Sequence, residues 1–258
     1  MIPAAHITNR AQQAPWATPD QVEQDLVLSR LIVVIASHPL LGDELVFRGG
    51  TCLHKLHLPV ALRYSEDLDY VRVTSGPIGG ILDALRSIGD GLSFTVSTDV
   101  RSFPKVLYRT TFTTSDNPMR IKIEINTHER NNARELVRLP FKVASPWWSG
   151  EAAVLTFAPE ELIATKLRAI YQRRKGRDLF DMWLALVQMG LDPTEIVECF
   201  APYRPEGYTR ALALENFDKK VAHAGFRTDL NALVTEFPDG YTLDEAAALV
   251  RAHLLEQV

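Results

Sequence analysis

Three successive stretches between Leu92 and Thr127, LSFTVSTDV, KVLYRTTFTT and RIKIEINT, alternate apolar and polar residues, and from Pro159 onward that period of two gives way to helical spacing. The alternation predicts a strand meander, with SDNP as the turn between its last two members. The later segments PEELIATKLRAIYQRR and DLFDMWLALVQMG predict helices packed on one another. A sheet followed by helices sets the fold class as α+β, a mixed sheet with helices and then a helical C-terminal half. The stretch LPFKVASPWWSG, rich in turn formers and tryptophan, is the expected seam, which divides the chain into domains at 1–150, with an N-terminal helix, and 151–258.

That N-terminal helix is announced by TPDQVEQDLVLSRLIVVIASH. Thr18 stands as N-cap, Pro19 at the first helical position and Gln21 three residues after the cap, which together make a capping box. Pro39 stops it. ELVFRGG then predicts a short strand running into a glycine turn, TCLHKLH a helix, DLDYVRV a half-buried strand, and IGGILDALRSIG a further helix. No repeat of fixed period and no low-complexity segment interrupts this order.

Composition narrows the function classes. A formal net charge of −4 argues against a surface that attracts nucleic acid everywhere, so any such contact is local. Cys52 and Cys199 are the two cysteines and have no CxxC spacing, which indicates neither a disulfide framework nor a cysteine zinc site. The start MIPAAHITNRAQQAPW does not have the pattern of a secretory signal, and LIVVIA is far shorter than the about 20 residues that cross a bilayer. The expectation is a cytoplasmic protein in a reducing compartment, without a membrane partner.

Within RYSEDLDYV two aspartates open an apolar strand, where carboxylates are costly to bury unless a cation meets them. Residues i and i+2 of a strand face one side about 6.6 Å apart, so Asp67 and Asp69 reach one site while Leu68 and Tyr70 face the other way. Such a pair clamps one or two Mg²⁺ or Mn²⁺ ions, which hold the phosphates of a nucleoside triphosphate. Glu124 is the expected third ligand, because Ile121, Ile123 and Ile125 alternate with Lys122, Glu124 and Asn126. The plainer reading of Glu124 is a solvated strand position. In the turn Gly49–Gly50–Thr51, glycines let backbone N–H groups approach an anion, and a helix starting near Thr51 adds free donors. Alone, that turn is a turn; followed by DxD on the next strand, it is a nucleotide seat. Ser65 stands two residues before Asp67 as a further candidate at that seat, with a plain strand-start serine as its quieter reading.

Glycines and DxD on adjacent strands resemble the polymerase-beta-like nucleotidyltransferase fold, with Thr51 in place of the usual serine. FRGGTCLHKLH, RYSEDLDY, PEELIATKLRAIYQRRKGRDLFDMW and RTDLNALV resemble, in order, the motifs of the AbiEii/MenT-type nucleotidyltransferase toxins of bacterial toxin–antitoxin systems. The resemblance implies metal-dependent transfer of a nucleotide from an NTP to an acceptor, which in MenT-type members is the 3′ end of tRNA, blocking translation. It also implies an antitoxin from a neighbouring gene. By the same resemblance Lys166 is the catalytic lysine that contacts the triphosphate, and Asp178 is a further essential acid, either a general base or the group that orients Lys166.

Between Lys166 and Arg177 lie six basic residues and no acidic one, among them Arg173, Arg174 and Arg177. On a continuous helix Lys166, Arg173 and Arg177 share a face, and with RSFPKVLYR this run is the candidate RNA path; Gly176 is where such a helix breaks. The quieter account makes Lys166 a solvated lysine, Asp178 and Asp181 first-turn acids favoured by the helix dipole, and Arg177 an i,i+4 partner of Asp181. His54, His57 and Trp147–Trp148 read as structural.

Three rival functions stand beside this one: a nucleotidyltransferase acting on a protein acceptor, a haloacid dehalogenase-like phosphohydrolase suggested by DLDYV, and a catalytically dead scaffold that binds nucleotide or partner. The phosphohydrolase chemistry needs its aspartates after a buried apolar strand, whereas here the apolar stretch follows them.

Overall fold

The computed structural model describes residues 2–12, 14, 16–100 and 103–258. Two compact units divide it: Met1–Arg130 with Leu136–Phe157, and Asn131–Glu135 with Ala158–Val258.

The first unit is built on one mixed sheet of seven strands: β1 (Leu45–Arg48), β2 (Asp67–Arg72), β3 (Thr95–Asp99), β4 (Lys105–Thr111), β5 (Pro118–Asn126), β6 (Val137–Ala144) and β7 (Ser149–Thr156). Their spatial order is β3-β4-β5-β2-β1-β7-β6. The pairs β3–β4, β4–β5, β1–β2 and β6–β7 are antiparallel, and β2–β5 and β1–β7 are parallel. Among the described residues five α-helices belong to this unit: α1 (Ala4–Ala11), α2 (Pro19–Ser37), α3 (Leu41–Glu44), α4 (Gly49–Cys52) and α5 (Gly79–Gly91). Helix α2 begins as expected, the Thr18 hydroxyl accepting from the Gln21 N–H while the Gln21 side chain accepts from the Thr18 N–H. Side chains then tie it into the unit: Glu23 accepts from Thr113 after β4, and Gln24 donates to the Arg120 carbonyl of β5. Along β5, Met119, Ile121, Ile123 and Ile125 are buried, which leaves Lys122, Glu124 and Asn126 on the opposite face.

The segment expected as a seam is instead the β6–β7 hairpin, and the chain leaves the sheet unit after Phe157. Pro140 lies within β6. A proline cannot donate to a ladder, but β6 is the edge strand, where a missing N–H costs little. The two tryptophans of this segment sit beside the guanidinium of Arg30, whose centre lies 5.2 Å from one ring and 5.5 Å from the other.

The second unit is helical: α6 (Pro159–Gln172), α7 (Gly176–Val187), α8 (Pro193–Cys199), α9 (Arg210–Val221), α10 (Ala224–Arg227) and α11 (Leu243–Val250). Leu162, Ile163, Leu167, Phe180, Leu184, Phe200 and Phe226 fill its core. Segment 131–135 is held there by Glu161, whose buried carboxylate accepts from Ala133 N at 2.6 Å, Arg134 N at 3.0 Å and the Tyr203 hydroxyl at 2.6 Å. The last carbonyls of α6 are satisfied from α9, where Lys220 Nζ donates to Ile170 O and to Tyr171 O.

Burial pushes the Lys220 ammonium down from its ordinary 10.5 to about 8. Because the folded value lies below the unfolded one, the unfolded chain binds the extra proton between them, and stability rises with pH across that window. We expect the stability of the wild type minus that of Lys220→Met, from urea titrations at a series of pH values, to grow from about pH 8 to about 10.5.

Candidate active site

Strand register brings the acidic side chains together. In the parallel β2–β5 ladder Asp67 lies opposite Lys122 and Asp69 opposite Glu124, and β1 places Arg48 opposite Asp69. Leu68, Tyr70, Ile123 and Ile125 are buried on the other face. The Lys122 ammonium stands between two of the acids, 3.2 Å from Asp67 Oδ2 and 3.4 Å from Glu124 Oε2, with Lys105 Nζ 3.8 Å from the same Glu124 oxygen. Partial burial opposes the Lys122 charge, but the Asp67 and Glu124 carboxylates outweigh it and raise its pKa. Asp69 shifts up as well. Burial is the main cause, the charge of Asp67 adds to it, and Arg48 and Lys122 offset part.

Asp67 and Asp69 open β2. A phosphohydrolase of the dehalogenase type would need them at the far end of a strand, so the local geometry disfavours that alternative.

The glycine turn approaches this face closely. Gly49 has φ +83°, and a Cβ there would sit 2.5 Å from Asp69 Oδ2, so both conformation and space call for glycine. From Gly49 the backbone runs into α4 and then a π-helical turn, Leu53–His57. Gly50 packs on the guanidinium of Arg63, which is 2% exposed and donates to the Tyr64 carbonyl. Thr51 is buried. Its hydroxyl lies 2.5 Å from the Asp67 carbonyl and 2.8 Å from Ser65 Oγ. The carbonyl can only accept, so the Thr51 proton goes there and Ser65 donates to Thr51. The hydroxyl therefore holds the start of β2 and has no proton left to donate elsewhere.

Among the described residues no three His, Cys, Asp or Glu side chains are grouped closely enough to hold a metal ion. Asp67, Asp69 and Glu124 share a face without closing into a ready cluster, because Lys122 occupies the gap. The residues present nonetheless fit a hard divalent cation. The donors are carboxylate oxygens, and the Lys122 ammonium is a stand-in cation already held by two of them.

In the helical unit Lys166 is enclosed rather than solvated. Its Nζ lies 2.8 Å from Asp181 Oδ2 and 3.3 Å from Asp178 Oδ1, with all three side chains buried. Arg173 completes the group, Nε and Nη2 each donating to Asp178 at 2.8 Å. Burial works against the Asp178 charge, yet Lys166 and Arg173 together pull its pKa below the ordinary value. Helix α6 ends before Arg173, which is extended at φ −126° and ψ 164°, so the run from Lys166 to Arg177 is not one helix with one basic face. Arg173 and Arg174 are exposed on the linker. Arg177 bonds Asp229 through its main-chain N–H and its guanidinium, in place of the expected i,i+4 pairing with Asp181. Of RSFPKVLYR, Arg101 and Ser102 lie outside the described residues.

Two residues of this region carry more than their sequence positions suggested. Lys122 looked like one member of a polar strand face, and only the register identifies its partners. Arg63 was available as a signal, since it opens RYSEDLD and a buried arginine needs acceptors.

The family described as "Nucleotidyl transferase AbiEii toxin, Type IV TA system" matches residues 30–251. No curated protein matches this chain. Among solved structures, the nucleotidyltransferase toxin MenT4 from Mycobacterium tuberculosis H37Rv is similar with a TM-score of 0.59 at 17% identity, covering 99% of this chain and 88% of that one. JHP933 from Helicobacter pylori is similar with a TM-score of 0.55 at 16% identity, covering 94% of this chain and 92% of that one.

Removing one partner of a buried pair strands the other. Asp178→Asn is expected to lower unfolding stability by about 3–5 kcal/mol, read from urea titration at neutral pH. The folded-state pKa is depressed, so the deficit is full above the ordinary carboxylate value of 3.8 and shrinks as pH falls through the folded one.

Proposed function

This chain belongs to the AbiEii family of nucleotidyltransferase toxins, and from that premise we propose that it transfers a nucleoside monophosphate from an NTP to the 3′ end of tRNA, so blocking translation. Membership of a type IV toxin–antitoxin family brings an antitoxin as partner, which we assign to a neighbouring gene. The observation that carries the reading is the shared face of Asp67, Asp69 and Glu124 beside a turn where only glycine fits against Asp69. The reading puts the reaction in the cytoplasm with its substrates, and no helix among the described residues is long and apolar enough to cross a membrane.

In the proposed reaction the acceptor hydroxyl forms a bond to the α-phosphorus and gives its proton to solvent, the bond to the β-phosphate breaks, and pyrophosphate leaves. Asp67, Asp69 and Glu124 would hold a divalent cation, Mg²⁺ or Mn²⁺, whose chemistry when bound is to neutralise phosphate charge. Backbone N–H groups of Gly49, Gly50 and Thr51 donate to phosphate oxygens, and the buried Arg63 guanidinium behind Gly50 adds positive potential. Ser65 braces the seat through Thr51. Lys166 supplies charge as pyrophosphate departs. Asp178 acts as its positioning residue, since a carboxylate held below its usual pKa is a poor base.

Purified protein incubated with each labelled NTP, Mg²⁺ and total RNA is expected to label tRNA, and Asp69→Asn to lower incorporation by about 100-fold or more. Label appearing in protein would move the acceptor to the rival class, and release of inorganic phosphate without any labelled polymer would overturn transfer. Arg174 is exposed, so its charge is open to RNA. Arg174→Glu is expected to raise KM for tRNA severalfold while NTP binding stays unchanged; equal losses in both would remove the linker from the RNA path.

A further inference from the structure

The sheet unit contains a second polar recess, built from residues the transfer reaction does not use. A cavity of about 230 Å³ opens among α1, α2, the π-helical turn and β6. Three cations line it: Arg10 from α1, Lys55 from the π turn and Lys142 from β6. Behind the lining stands one carboxylate, Asp25 of α2, which is 2% exposed, accepts from Arg10 at 3.0 Å and is bonded to Lys55. Arg10 and Lys55 share Asp25, which leaves one positive charge in excess beside a Lys55 side chain that is 9% exposed, while Lys142 adds an exposed charge at the rim, opposite Glu151 in the β6–β7 ladder.

The side chains around the cavity present donors. Lys55 has three N–H groups; one is taken by Asp25 and another by Ser29 Oγ at 3.1 Å, and the third has no partner among the described residues. The Ser29 hydroxyl proton is committed to the Asp25 carbonyl at 2.8 Å. Trp16 Nε1–H is buried and has no acceptor among the described residues. Burial, helped by the Arg10 charge, pushes the Lys55 ammonium below its ordinary pKa against the pull of Asp25. A π-helical turn is itself an uncommon local geometry that recurs at functional sites.

We propose that this cavity binds a phosphate group, free or carried on a small ester. A phosphate group brings the negative charge that the recess wants, and its tetrahedral oxygens can accept from Lys55 and Trp16, with Lys142 at the rim. Leu26 and Leu58 add apolar wall to the same cavity, where the organic part of an ester would rest.

The test reads Lys55 directly, in the full-length protein. Acetylation of Lys55 by an activated ester, followed by mass spectrometry, is expected to slow about 10-fold at a phosphate concentration near ten times Kd. Inorganic phosphate and glycerol 3-phosphate are titrated in parallel, and tighter protection by the second identifies an ester as the better ligand, whereas equal protection identifies the free ion as sufficient. Lys142→Glu, an exposed change on an edge strand, is expected to weaken phosphate binding by about 10-fold or more. Trp16→Phe, which keeps a ring and removes the donor, should weaken it about 3–10-fold. Both variants should bind Mg²⁺-NTP as the wild type does, which separates this site from the nucleotide seat. Failure of both phosphate compounds to protect Lys55, or phosphate affinity unchanged in both variants, overturns the proposal.

Discussion

Carboxylates on one face of two hydrogen-bonded strands repel one another, and the surroundings of Asp67, Asp69 and Glu124 answer that repulsion. The register of β2 on β5 sets the problem, because it aligns Asp69 with Glu124, and supplies the reply, because it aligns Asp67 with Lys122. Lys122 bridges two of the acids and Lys105 approaches from the next strand. Asp69 carries what is left of the strain as an upward-shifted pKa, a carboxylate still short of positive charge. A slip of one residue in this ladder would turn the acids into the core and the apolar residues out, so the face exists only in one register. The Thr51 hydroxyl, bonded to the Asp67 carbonyl, pins the strand at the point where slipping would begin.

The helical unit meets a similar problem at greater depth with a different solution. Lys166 and Arg173 face Asp178 and Asp181, a balanced set in which only Arg173 reaches solvent. Lys166 and Arg173 draw the Asp178 pKa down against burial, whereas burial and the neighbouring Asp67 charge push Asp69 up. An ammonium held by two carboxylates has few directions left to point, which suits a group that must meet charge at one position.

What could be read from the residue order was what neighbours in the chain decide. The capping box at Thr18, the alternation of β5 and the start of α6 at Pro159 are local, and the structure has each where the pattern put it. The order of strands was not legible, since β2 pairs in parallel with β5 only after three intervening elements. The hairpin of β6 and β7 was hidden because an edge strand tolerates a proline that a central strand would reject. At the candidate site, spacing put Asp67 and Asp69 on one side, whereas Lys122 as their counter-ion, Arg63 under Gly50 and Asp229 as the partner of Arg177 all depend on distant segments. The break at Arg173 followed from Gly176 only as to its neighbourhood, and the basic face drawn across it dissolved into separate pairings.

Glu161 holds residues 131–135 inside the helical unit although both flanking segments belong to the sheet unit. No single cut therefore separates the two. A fragment starting at Ala158 would keep the Glu161 carboxylate and lose two of its donors, and the complementary fragment would carry a loop shaped for an absent host. A chimera joined at one breakpoint between Glu135 and Glu161 would therefore draw the loop and the carboxylate that holds it from different parents.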